Sequence, residues 1–156
     1  MTTTYTQKQI SPDEDYYRWL KQTAGWLRRA QNDKRYLDQI DLEALAEEIE
    51  DLAKRERRAA IGRMAVLLGH LLKWAEQPDH RSNSWRGSIG EARERLELLL
   101  EDNPSFKRQL PEFVGKAYPR AVARAMRDTG HDQSVFPKTN PFDLERQILN
   151  KGWLPE

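Results

Sequence analysis

From Asp41 to Gln77 helical periodicity runs without a break, and Pro78 stops it. About 35 residues at 1.5 Å each make a rod of roughly 50 Å, long for a chain of 156 residues. Such a rod is the axis around which shorter helices must pack. Its charges follow the helix dipole. Asp41, Glu43, Glu47, Glu48, Glu50 and Asp51 come first, and Lys54, Arg55, Arg57 and Arg58 follow, with Glu50–Lys54 and Asp51–Arg55 spaced as i,i+4 pairs.

Helix signals flank the rod on both sides. Residues 1–10 read as a flexible tail, and residues 11–156 as a single helical bundle domain. Ser11-Pro12-Asp13-Glu14 has the pattern of a capping box ahead of Tyr16, Trp19, Leu20, Thr23 and Leu27 at helical spacing, with an end near Gln31 and Asn32. A short linker holding Tyr36 and Leu37 leads to Asp41, the expected cap of the rod. Ser82 or Ser84 can cap a third helix carrying Trp85, Ile89, Ala92, Leu96 and Leu99. Asn103-Pro104 opens a further helical stretch to Arg127, which Pro111 and Pro119 are expected to break or bend, and Gly130 suits its stop. A loop, HDQSVFPKT, precedes Asn140-Pro141, which reads as the start of a last short helix, Phe142 to Asn150. No alternating strand pattern and no repeat is present. The expected fold is all-α, a bundle of about five helices around one long central helix at about 41–77.

Composition narrows the chemistry. Lys and Arg total 26 against 25 Asp and Glu, so overall charge calls for no polyanionic partner. The absence of cysteine removes disulfides, thiolate zinc sites and cysteine nucleophiles together. The first residues lack the apolar segment of a secretory signal, and the longest apolar run, Met64 to Leu72, is about half the ~20 residues of a membrane span. A cytoplasmic protein without a membrane role is expected.

Along the rod, steps of seven from Ile49 meet Glu56, Arg63 and His70 rather than further apolar residues, with Trp74 one turn beyond. The residues flanking that column are apolar over much of the circumference, so the three polar side chains are expected to face other helices. Buried charge needs partners. The sequence offers Arg81 or Arg86 for Glu56, and Asp13 or Asp15 for Arg63. Two readings follow: an ion network that fixes helix register, or a polar pocket formed by Glu56, Arg63, His70, Lys73, Trp74, Arg81 and Trp85.

His70 and His80, with Glu76 or Asp79, can in principle approach one cation. Neither HExxH nor paired Glu-x-x-His segments accompany them, so no metal site is expected. His131 reads as a surface residue. No nucleophile stands beside a base at a telling spacing, so no catalytic residue and no cofactor are assigned. Lys116, Arg120, Arg124 and Arg127 recur along one helix side and can contact phosphates, although the wet face of an amphipathic helix explains them more simply.

The segments DLEALAEEIEDLAKRERR, LLGHLLKWAEQPDHRSNSWRGSI, LLEDNPSF and FPKTNPFDLERQILNKGWLP resemble the bacterial family catalogued as domain of unknown function number twenty-nine, over about residues 13 to 155. The specific part is His70, Leu71, Leu72, Lys73, Trp74, Gln77, Pro78, Arg81, Ser82, Ser84 and Trp85; Pro119 departs from the pattern. The resemblance implies an all-helical bundle from a bacterial cytoplasm, with no assigned activity and no catalytic residues to carry over. The leading expectation is a binding or interaction module, through a protein partner or self-association. The second is a nucleic-acid-associated protein using the 116–127 face. The third is a hydrolase or metal-dependent enzyme working around Glu56, Arg63 and His70.

Overall fold

The computed structural model describes residues 10–31 and 42–156. The fold is all-α, and no strand occurs among the described residues. Its helices are α1 (Tyr16–Ala30), α2 (Leu42–Glu76), α3 (Asn83–Asp102) and α4 (Leu110–Thr129), with 3-10 turns at Pro78–His80, Pro104–Gln109 and Gln133–Val135. The residues group into two compact units. One takes the chain up to Arg57 with Glu101–Ser105, and the other takes Arg58–Leu100 with Phe106–Glu156. Asp41 and the Tyr36–Leu37 linker lie outside the described residues, as does the N-terminal tail apart from Ile10, which is buried.

In the first unit α1 starts four residues later than the capping box suggests. Ser11 and Glu14 do exchange their two hydrogen bonds, at 3.2 and 3.1 Å. They close only a turn, and the helix begins at Tyr16 with Asp15 as its cap. Asp15 Oδ1 accepts from the Arg18 amide at 2.9 Å, and its Oδ2 accepts from the Ser105 amide at 2.7 Å. Asn103 reaches beyond the short helix that follows it. Its side-chain oxygen accepts from the Tyr17 amide at 2.8 Å, so a distant residue satisfies an orphan donor of the first turn of α1. Both polar side chains are buried and hydrogen-bonded, which is the condition for burying them. Arg28 grips Glu50 with its two terminal guanidinium nitrogens and donates its Nε–H to Glu43 at 2.9 Å. That pairing lowers the pKa of Glu50.

The second unit is built on Arg58–Glu76 of α2, most of α3 and the whole of α4. Met64, Leu67, Leu68, Leu71 and Leu72 are buried with Ile89, Leu96, Phe106 and Phe113. α2 ends where Pro78 opens a 3-10 turn. Ser82 starts α3 by accepting from the Trp85 amide at 3.2 Å. α4 is one continuous helix despite its two prolines. Pro111 sits in the first turn, where no amide hydrogen is needed. Pro119 is exposed within the helix, so its ring faces away from the core. Gly130 adopts φ 73° and closes the helix through a 2.8 Å bond to Met126 O.

The last expected helix is shorter than its sequence signal. Asn140 spends its side chain on a local turn, accepting from the Phe142 amide, and Asp143 then caps a single π-helical turn, Leu144–Ile148. Trp153 packs back edge-on against Phe142, with ring centroids 5.7 Å apart. No helix among the described residues is long and apolar enough to cross a membrane.

Candidate functional site

The geometry of α2 decides where its polar residues go. Its buried positions repeat at eighteen residues, five turns of ideal helix: Leu42 with Ala60, Ala46 with Met64, Ala53 with Leu71. A step of seven does not close on itself. It slips by roughly 20° per heptad, so from Ile49 to His70 the column rotates roughly 60° away from that line. The three polar side chains are therefore not inward as a set. Arg63 is exposed, and Glu56 and His70 are half-buried. The expected ion network also differs. Asp15 serves α1, Arg81 and Arg86 lie against Trp74, and Arg63 donates to the carbonyl of Arg95 at 3.0 Å.

The residues proposed as one pocket fall into three places. Glu56 belongs to the first unit. Lys73, Trp74, Arg81 and Trp85 make the corner between α2 and α3. There Trp74 is buried and donates its indole N–H to Pro155 O at 3.0 Å. Arg81 donates Nε–H to Trp74 O at 2.9 Å, satisfying a carbonyl that the end of α2 leaves open. The guanidiniums of Arg81 and Arg86 lie 5.5 and 5.9 Å from the Trp74 ring centroid. Lys73 pairs with Asp128 at 2.9 Å and stands 5.5 Å from the Trp85 ring, on which His80 stacks. Cation–π contacts and a capped helix end make this a structural corner.

Arg63 and His70 line a different feature of the second unit, a cleft of about 560 Å³. α2 contributes Ala59, Gly62, Arg63, Val66 and His70, which share one face. α3 contributes Ser88, Glu91, Ala92 and Arg95, and α4 contributes Arg124. The cleft exists because its walls are short side chains. A methyl group built on Gly62 meets nothing within 4 Å. Gly69 acts differently: its missing side chain lets the stem of Arg124 cross α2, since a Cβ there would stand 3.1 Å from Arg124 Cδ and 3.5 Å from Ala121 O.

Three guanidiniums thus meet one carboxylate in the cleft. Glu91 is occupied by Arg95 at 2.5 Å. Arg124 Nε is buried and makes no hydrogen bond among the described residues, with its nearest carboxylate oxygen, on Asp128, 4.0 Å away. Burial holds the pKa of His70 below its usual value, and the cations Lys73 and Arg124 add to this, so the imidazole is neutral near pH 7. Ser88 donates its hydroxyl proton to Ser84 O at 3.1 Å and keeps its lone pairs for the cleft. Chemically this is a concave, positively charged surface with a neutral donor–acceptor ring at one side.

The basic stripe of α4 divides accordingly. Lys116 pairs with Glu112 at 2.8 Å, Arg124 turns into the cleft, and Arg120 and Arg127 stay exposed. No group of three or more potential metal-ligating side chains occurs among the described residues. A second concavity of about 620 Å³ lies between α4 and residues 133–138, but Lys138 is its one charged residue, and the Tyr118 hydroxyl there is committed to Pro137 O at 2.6 Å.

Sequence reasoning singled out Arg63, His70 and Arg124 but put them in two separate features, and it passed over Gly62, Ser88, Glu91 and Arg95. A usable signal was present. Ala59, Gly62 and Val66 on α2, and Ser88 and Ala92 on α3, are small residues at helical spacing, each row flanked by an arginine.

The family model described as "Domain of unknown function DUF29" matches residues 13–154. A crystal structure of an alpha-helical protein of unknown function from Rhodospirillum rubrum is similar in fold, with a TM-score of 0.69 and 23% identity over 92% of this chain and 91% of that one. No curated protein matches the chain.

Proposed function

The chain belongs to the DUF29 family, and we propose that it works as a binding module whose working surface is the cleft of the second unit. One observation carries this reading: the cleft gathers guanidiniums from three helices, Arg63, Arg95 and Arg124, around a floor kept open by Gly62. Like charges converge only at a cost, and Glu91 offsets just part of it. Its volume lies within the roughly 300–1,000 Å³ typical of small-ligand sites. Binding rather than catalysis is favoured because the cleft has no hydroxyl or thiol nucleophile with an adjacent base: the Ser88 proton goes to a main-chain carbonyl. A role on extended polyanions draws less support, since Lys116 and Arg124 of the basic stripe are otherwise engaged.

A fragment screen followed by amide NMR tests the reading. Fragments that bind should move the amides of Val66, Ser88 and Ala92, and Gly62→Leu, which fills the cleft without changing charge, should abolish those shifts. A screen that leaves these amides still, or shifts that survive Gly62→Leu, would contradict it.

A further inference from the structure

Resting on the reading of the cleft as a binding site, we propose that its ligand is an organic phosphate monoester, bound as the dianion. The charge on the lining is the first argument. Arg63, Arg95 and Arg124 face the single carboxylate of Glu91, and Glu91 already holds Arg95. Asp128, 4.0 Å from Arg124, is held by Lys73 at 2.9 Å, so with that pair counted as well two positive charges remain, and a phosphate monoester above its second pKa of about 6 supplies two negative ones. A carboxylate would leave half of that excess uncompensated. Guanidinium forks also match the paired oxygens of a phosphate.

The second argument is the buried Nε–H of Arg124, which lacks a hydrogen-bond acceptor. A guanidinium in that state is costly, and an anion in the cleft stabilises its charge without having to reach the buried Nε–H. The third is size and lining. A bare phosphate occupies a small part of about 560 Å³, and Ala59, Val66 and Ala92 give the rest an apolar wall suited to an organic body. Ser88, limited to accepting, suits a hydroxyl of that body rather than the phosphate.

Calorimetric titration of the full chain at pH 7.5 tests the assignment, with phenyl phosphate, benzoate and benzyl alcohol as probes. Phenyl phosphate should bind roughly tenfold or more tightly than benzoate, and benzyl alcohol more weakly than both. The double variant Arg63→Gln/Arg95→Gln alters two exposed side chains, so it should fold normally and weaken phenyl phosphate roughly tenfold or more. Equal affinity for phenyl phosphate and benzoate would overturn the proposal, as would undiminished binding by the double variant. If benzyl alcohol moves the Val66 and Ala92 amides and phenyl phosphate shows no preference, the cleft remains a binding site and the phosphate assignment falls. If no probe reaches the cleft, both fall.

Discussion

Arg93 shows what single residues contribute here. It sits on the apolar stripe of α3, is 4% exposed, and donates to the carbonyls of Ile148 and Gln147, both at 2.9 Å. Burial lowers its pKa. The guanidinium closes the open end of the π-helical turn, a task no apolar side chain can perform. Arg93→Met removes two main-chain partners but also relieves the desolvation of a charge, so the expected net loss is roughly 2 kcal/mol by urea unfolding. Arg95→Gln, on the exposed side of the same helix, should stay within about 0.5 kcal/mol. Equal effects would contradict this account of Arg93. His70 makes a pH prediction. Its folded pKa is lowered, by burial first and then by Lys73 and Arg124, with Asp128 and Glu91 opposing weakly. Between the ordinary imidazole value of about 6.5 and that lower value, the unfolded chain binds more protons than the folded one. Stability therefore falls as pH drops through this window and is unaffected above it. Asp128, held low by Lys73, contributes stability that is lost only further down, below the usual carboxylate range. His70→Gln should lose less stability than the parent chain between pH 7.5 and 5, and equal losses would rule His70 out.

At the scale of the element, α2 separates what patterning reveals from what it hides. Its extent and its stop at Pro78 follow from periodicity and a proline, both local, and Leu42–Glu76 matches them. The side on which a residue points after twenty positions depends on a few degrees per turn, which a heptad count gets wrong. That is why Arg63 reads as inward but is exposed. Caps show the same division: Gly130 is legible because it needs only its own positive φ, whereas the bond from the Tyr17 amide to Asn103 is hidden because the two residues stand 86 positions apart. The glycines of α2 give an element-scale test. Gly62→Ala meets open space and gains helix propensity, so it should stabilise by roughly 0.5–1 kcal/mol. Gly69→Ala has the same intrinsic gain but must displace the Arg124 stem, so its measured gain should be smaller, or reversed. Denaturant unfolding of both variants decides it; matching gains would mean that Arg124 does not cross α2 at Gly69.

At the scale of the molecule, a net charge of +1 conceals a local excess of cations in the second unit. The all-helical class and the family were legible from the chain, because both rest on contiguous segments. The cleft was not, because it is made by residues from three helices, and a sequence places Arg63 and Arg124 sixty-one positions apart. The most direct test is a crystal soaked with 4-bromophenyl phosphate and read by the anomalous scattering of bromine. The expected result is a bromine peak inside the cleft, against Val66 and Ala92, with the phosphate toward Arg124. A peak elsewhere, or an empty cleft at a concentration that saturates the protein in solution, would contradict the account.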